Sequence, residues 1–416
     1  MRYKKTITAA AVAATAALAL AGCSGSGSSG GSDGSKKTVT MWIYPVIADE
    51  AKHKSFWDDT VKAFEAEHKD ITVKYEIYPW ANRDESLSTA IAAGKGPDLV
   101  YLIPDQLSTY QKSIEPMDSY LPAKQKKDIL DNVSESITID GKLMASPILT
   151  SANALMCDAK AFEAAGVTDY PKTWDDLVKL APTFKEKGIY ITQYFGSPDV
   201  TLNMTFYPLL WQAGGSVYNK DGSKVAFDSA AGEKALSMIS DFAAKGYIEK
   251  DLISTMPALE QTALATNKVA CTWQSGPSDV TSFWGEDAIK ILPPLTDKKQ
   301  VSYGTVGSLA MLKGAKDKEA AGEFAAFATN AENSKKFDLA SNFFSPLKST
   351  GELYADNPVQ SAIEKTIPTS KVGELQPSAR AVMGVLAPEI QAALLGSKTP
   401  QQALKDAAAA AQPLIK

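Results

Sequence analysis

The chain has 416 residues, with 43 Lys and Arg against 48 Asp and Glu, and a formal net charge of −5. It carries no basic block beyond Lys124, Lys126 and Lys127, which excludes nucleic acid as an expected partner. Two histidines, His53 and His68, and no Cys-x-x-Cys pair leave few ligands for a transition metal, so neither a metal nor another cofactor is expected.

The amino terminus has the layout of an export signal. Arg2, Lys4 and Lys5 precede an apolar run from Ile7 to Leu20, about 14 residues, below the roughly 18 to 20 that a membrane-spanning helix needs. Residues 1–22 therefore read as a signal peptide. Leu20-Ala21-Gly22-Cys23 resembles the lipobox of bacterial lipoproteins, which implies that Cys23 is lipidated and becomes the new amino terminus. An ordinary secretory signal with an incidental cysteine is the alternative. From Ser24 to Ser35 the chain is almost all Ser and Gly, a composition that cannot bury apolar surface and serves as a flexible tether.

About 380 residues remain, enough for two domains with real cores. Val39, Met41 and Ile43 alternate with Thr40, Trp42 and Tyr44 along a strand stopped by Pro45. A helix follows with Phe56, Trp57, Val61 and Phe64 at helical spacing. Ile71, Val73, Tyr75 and Ile77 alternate in a second strand that ends at Pro79. The next helix carries Leu87 and Ile91 and closes at Gly94, and Leu99 to Ile103 is a continuous apolar run of the kind found in buried parallel strands. Strand, helix, strand, helix, strand is a doubly wound α/β unit, whose ligands bind beyond the carboxyl ends of the strands. Those ends carry Trp42 and Tyr44, Tyr78 and Trp80, and Tyr101, Pro104 and Asp105.

Several motifs occur in a telling order. A strand, an amphipathic helix with Phe-x-x-x-His, a second strand and Ala92-Ala93-Gly94-Lys95-Gly96-Pro97-Asp98-Leu99-Val100 come first. Asp140-Gly141-Lys142-Leu143-Met144-Ala145-Ser146-Pro147 follows, then Ala154 to Asp158 with Phe162 and Ala165-Gly166-Val167, then Pro171-Lys172-Thr173-Trp174-Asp175-Asp176-Leu177. Asn267 to Trp273 leads into Gly276-Pro277, and Pro400-Gln401-Gln402-Ala403-Leu404 opens an Ala-rich helix. Taken together they resemble the extracellular solute-binding proteins of ABC importers, in the carbohydrate-binding branch related to maltose-binding protein. Asp158-Ala159 and Cys271 depart from the family pattern away from any expected ligand surface.

The resemblance implies two doubly wound α/β lobes joined by a three-segment hinge, the type II arrangement of periplasmic-binding-protein-like folds. The crossings fall near Pro147 to Ser151, Leu295 to Ser302 and Phe343 to Leu347. The first lobe then holds residues 36–148 and 303–343, the second 149–302 and 344–416. Cys157 and Cys271 both lie in apolar, strand-like surroundings and are expected as buried free thiols ahead of a disulfide.

A sugar needs paired hydrogen bonds for its hydroxyls and flat apolar partners for its C–H faces. Candidate ligand residues at strand ends and crossings are Trp42, Tyr44, Trp80, Asn82, Asp105, Trp273, Gln274, Ser275, Tyr303, Phe343 and Arg380, with Arg83, Gln106 and Phe344 beside them. Trp42 could equally pack in the core, and Arg380 could be a surface ion pair. Phe206, Tyr207 and Trp211 read as core, as do Trp57, Trp174 and Trp284. No catalytic residue is expected: there is no Gly-x-Ser-x-Gly elbow, and the carboxylates Asp49, Glu50, Asp105 and Asp279 are pairs that any α/β protein offers. The expected protein is a monomeric, lipid-anchored receptor at the outer face of the cell membrane that captures an oligosaccharide and passes it to an ABC permease. A peptide or other small-solute receptor of the same fold, a surface adhesin and a glycoside-active enzyme are the alternatives.

Overall fold

Alternation at Val39, Met41 and Ile43 produces a strand over Lys37–Ile43 with all three side chains buried. The computed structural model to which this strand belongs describes residues 36–415; the export signal, Cys23 and the Ser/Gly tether lie outside the described residues. Helix Glu50–Glu67 follows, its first turn closed by the Asp49 carboxylate, which accepts from the Lys52 amide at 3.0 Å. His53, Trp57, Thr60 and Phe64 form its buried stripe. Strands Ile71–Ile77 and Leu99–Leu102 lie parallel to Lys37–Ile43 on either side, as βα units require.

The sheet continues with a strand from far along the chain. Val306–Leu312, buried at all its positions, runs antiparallel to Leu99–Leu102, and it also pairs with Ile114–Glu115 and with Ser146–Thr150. The first sheet is therefore mixed. Pro147 interrupts less than its ring suggests, because the register shifts between Gly307 and Ser308, which face Leu149 and Pro147. A β-bulge at the sheet margin absorbs the missing amide donor. Gly307 has a separate constraint: a Cβ there would run into the Tyr101 hydroxyl.

The second lobe is built on a four-stranded sheet in the order Ile289–Leu292, Leu155–Asp158, Val269–Thr272, Tyr190–Thr192. Its core gathers Phe162, Trp174, Phe184, Phe206, Tyr207, Trp211 and Phe242 with residues of the two carboxyl-terminal helices, Ala379–Leu394 and Pro400–Ala411. The Thr-Trp-Asp-Asp motif is a capping box. Thr173 Oγ1 accepts from the Asp176 amide at 3.1 Å, and Asp176 accepts from the Thr173 amide at 3.0 Å, starting helix Trp174–Glu186. Between the two cores, Phe344, Tyr354, Ile363 and Ile367 cluster with Ala152 and Ala154.

Cys157 and Cys271 are not free thiols. They face each other on adjacent antiparallel strands, with Cα atoms 4.0 Å apart, and form a disulfide. Direct cross-strand pairing supplies the proximity that residue order does not reveal. Intact mass without reductant should show the bond. The double variant Cys157→Ala/Cys271→Ala should lose about 2–4 kcal/mol in denaturant unfolding, and reductant should then have no further effect on it.

Asp338 is fully buried, and neither carboxylate oxygen has a hydrogen-bond partner in the protein. Burial, and secondarily the Glu364 carboxylate, push its pKa well above the ordinary value. As pH rises, the unfolded chain sheds this proton first while the folded chain keeps it. Stability from this group is therefore greatest in acid and falls until pH reaches the raised native value. Asp338→Asn should raise the melting temperature, and its advantage over the parent should widen from about pH 5 to about pH 8.

Candidate functional site

The first lobe presents an aromatic wall at the carboxyl ends of its parallel strands. Tyr44, just past Lys37–Ile43, stacks on Trp80 with ring centroids 5.2 Å apart and planes 22° from parallel. Tyr101 meets both rings edge-on, at 6.3 and 6.2 Å. Trp80 is anchored by its Nε1, which donates to the Pro45 carbonyl at 3.1 Å, yet it stays 42% exposed. The Arg83 guanidinium lies 4.9 Å from the Trp80 ring centre. Burial pushes the Tyr44 hydroxyl up to about 12, keeping it a neutral donor. Trp42 is half-buried against Tyr78, 4.2 Å between centroids, at the edge of the first-lobe core. Asn82 is exposed in the left-handed region at φ 57°, and its side chain makes no capping hydrogen bond.

The second lobe presents a different surface at the ends of Tyr190–Thr192 and Val269–Thr272. Ser275 Oγ donates to Gln193 Oε1 at 2.7 Å, and Gln274 Oε1 accepts from the Phe195 amide at 2.8 Å. What these contacts leave over is notable for its chemistry. Gln193 Nε2, Gln274 Nε2, Trp273 Nε1, Trp211 Nε1 and the hydroxyls of Tyr194 and Tyr207 are buried with no partner in the protein. An unsatisfied buried polar group costs about 1–3 kcal/mol, so each of these atoms favours a partner from outside the protein, water or ligand.

Trp273 is only 9% exposed and belongs to the second-lobe core, a deeper position than its place before Gly276-Pro277 suggests. It lines a cavity of about 20 Å³ with Asn153, Gln212, Ser302 and Tyr303, room for one water beside two orphaned groups, Trp273 Nε1 and Ser302 Oγ. Asn153 ties this corner together: its Nδ2 donates to the Trp273 carbonyl at 3.1 Å and its amide to the Tyr303 carbonyl at 2.7 Å. Burial raises the Tyr303 hydroxyl to about 12. Phe343 is half-buried against the first-lobe core, and its carbonyl accepts from the Tyr354 hydroxyl at 2.7 Å.

Arg380 and Asp105 meet each other. Arg380 Nε and Nη2 both lie 2.8 Å from Asp105 Oδ2, and Nη1 lies 2.8 Å from Asp84 Oδ2. Asp84 is further held by Gln106 Nε2 at 2.6 Å and has the Tyr110 hydroxyl close by. Arg380 sits on helix Ala379–Leu394 of the second lobe, the aspartates on the first, so this cluster bridges the two lobes.

The candidates thus fall in three groups: Trp42, Tyr44, Trp80 and Asn82 on the first wall; Trp273, Gln274 and Ser275 on the second, with Tyr303 packed beside Trp273; Asp105 and Arg380 between them. Phe343 stands apart, against the first-lobe core. Asp84, Gln193 and Tyr194 were not anticipated. Tyr190–Thr192 is too short for alternation to announce it, which hid Gln193 and Tyr194, and the partner of Asp84 is 296 residues away.

A sequence profile of the bacterial extracellular solute-binding proteins matches residues 48–335, more than half of the chain. The chain belongs to this family. Its members are binding proteins rather than enzymes. Over 376 residues it is 26% identical to a binding protein of Brucella abortus, covering 88% of this chain and 91% of the relative. It is also 25% identical over 383 residues to the galactooligosaccharide-binding protein of Bacillus subtilis, covering 89% of each. The cyclic α-maltosyl-1,6-maltose binding protein of Arthrobacter globiformis superposes with a TM-score of 0.78 at 20% identity, over 91% of this chain and 99% of that one. The two-lobed α/β fold is shared.

Trp80 is the candidate whose substitution best distinguishes a ligand contact from a core residue. Trp80→Ala should keep stability within about 1 kcal/mol of the parent, since the ring lies at the surface and is 42% exposed, and should weaken cargo binding about tenfold or more. Paired denaturation and calorimetric titration would check both; a loss of stability with unchanged affinity would place Trp80 in the core.

Proposed function

We propose that this solute-binding protein captures an oligosaccharide between its two lobes and delivers it to the permease of an ABC importer, anchored to the membrane as a monomer through lipidated Cys23. The observation that carries the cargo assignment is the pairing of an exposed, anchored tryptophan stack on one lobe with buried, unpartnered hydrogen-bonding groups on the other. Flat rings accept C–H faces, and orphaned amide and indole donors accept ring and hydroxyl oxygens as partners. The Bacillus subtilis relative, named for galactooligosaccharides, supports the same class.

In this reading Trp42, Tyr44, Trp80 and Asn82 contact the sugar from the first lobe. Gln193, Tyr194, Gln274 and Ser275 contact it from the second, and Trp273 and Tyr303 line its floor. Residues 36–148 with 303–343 move against 149–302 with 344–416. Closure around cargo selects the state that docks on the permease. The Ser/Gly tether holds the receptor at the outer face of the membrane with freedom to turn.

A thermal-shift screen against oligosaccharides, amino acids and short peptides tests this. Cargo at a hundred times its dissociation constant adds about 2.7 kcal/mol, a shift of a few degrees. The expected outcome is a shift with one glycan family and no turnover of it. Shifts with peptides alone would overturn the cargo assignment.

A further inference from the structure

Of the four charged side chains of the first-lobe wall and its bridge, three pair with one another and the fourth, Arg83, rests on aromatic rings. Arg83 lies over Trp80 and Tyr44, while Arg380 spends Nε, Nη1 and Nη2 on Asp105 and Asp84. Two guanidinium groups balance two carboxylates. Both aspartates stand in the first turns of their helices, Arg83–Ala92 and Pro104–Tyr110, where a negative charge is favoured. Gln106 Nε2 and Tyr110 fix Asp84 from within the first lobe whether or not Arg380 is near. Arg380, by contrast, rides on a helix whose Val382, Leu386 and Ile390 are buried in the second-lobe core. The bridge joins two separately packed bodies, and any motion that parts the lobes must break it.

We propose that Arg380, Asp84 and Asp105 clasp the closed lobes to each other instead of gripping the cargo, so that the glycan held here is uncharged and closure weakens with salt. This rests on the lobe closure of the preceding section. A charged sugar would have to pull one member out of a satisfied cluster, whereas a neutral one leaves it intact. The groups turned toward the clasp are Arg83, Tyr44, Tyr110 and Tyr303, and the tyrosines are all held neutral by raised pKa values. Two partly exposed pairs sharing one guanidinium shift the closed-to-open ratio about tenfold.

X-ray scattering of the protein without cargo decides this. At about 20 mM salt, Arg380→Glu should raise the radius of gyration and the swap Arg380→Glu/Asp105→Arg should bring it back. The parent should expand toward the Arg380→Glu value in about 1 M NaCl, a comparison that needs no variant to fold. A parent insensitive to salt, or Arg380→Glu scattering like the parent, overturns the clasp. In the thermal-shift panel, a largest shift from a uronate or amino-sugar oligosaccharide overturns it as well. A panel silent for every glycan would instead sink the cargo assignment and leave the clasp to the scattering result.

Discussion

The strand Val306–Leu312 is the constraint on which the architecture depends. It is buried along its whole length and hydrogen-bonded on both sides, and it completes a sheet begun by residues about 270 positions earlier. Without it the edge of Leu99–Leu102 would be open. Because the chain must leave the second lobe to supply it and then return for the carboxyl-terminal helices, several segments pass between lobes. The bulge at Gly307 and Ser308 and the close approach of Tyr101 to Gly307 follow from the same strand. Packing at the sheet centre therefore reaches the aromatic wall: Tyr101 rests on Gly307 beneath and meets Tyr44 and Trp80 above.

Much of the fold could be read from residue order. Period-two alternation located Lys37–Ile43 and Ile71–Ile77, the apolar run located Leu99–Leu102, and the Thr173 motif proved to be a helix cap. These signals are local, and local physics makes them. The disulfide was misread because strand adjacency is a tertiary fact: Cys157 and Cys271 are 114 residues apart, and their surroundings look the same whether or not they are bonded.

The site divided along the same line. Aromatic residues just past strand ends were visible, and Trp80 has the exposure expected of a contact. Trp273 has the right neighbours in sequence but lies deeper, since depth depends on which helices cover a strand end. Gln193 and Tyr194 follow a three-residue strand that carries almost no pattern. The bridge from Arg380 to Asp84 and Asp105 could not be foreseen, because residues 296 and 275 positions apart meet only through the placement of whole lobes.

The Cys157–Cys271 bond has a consequence for biogenesis. It staples two neighbouring strands at the centre of the second-lobe sheet, and such bonds close only in an oxidising compartment. Before oxidation that sheet lacks its cross-link, and the second lobe is at its weakest. Oxidation then locks the two strands together. The stability the bond adds is therefore conditional on the redox state around the protein, and a reducing medium withdraws it.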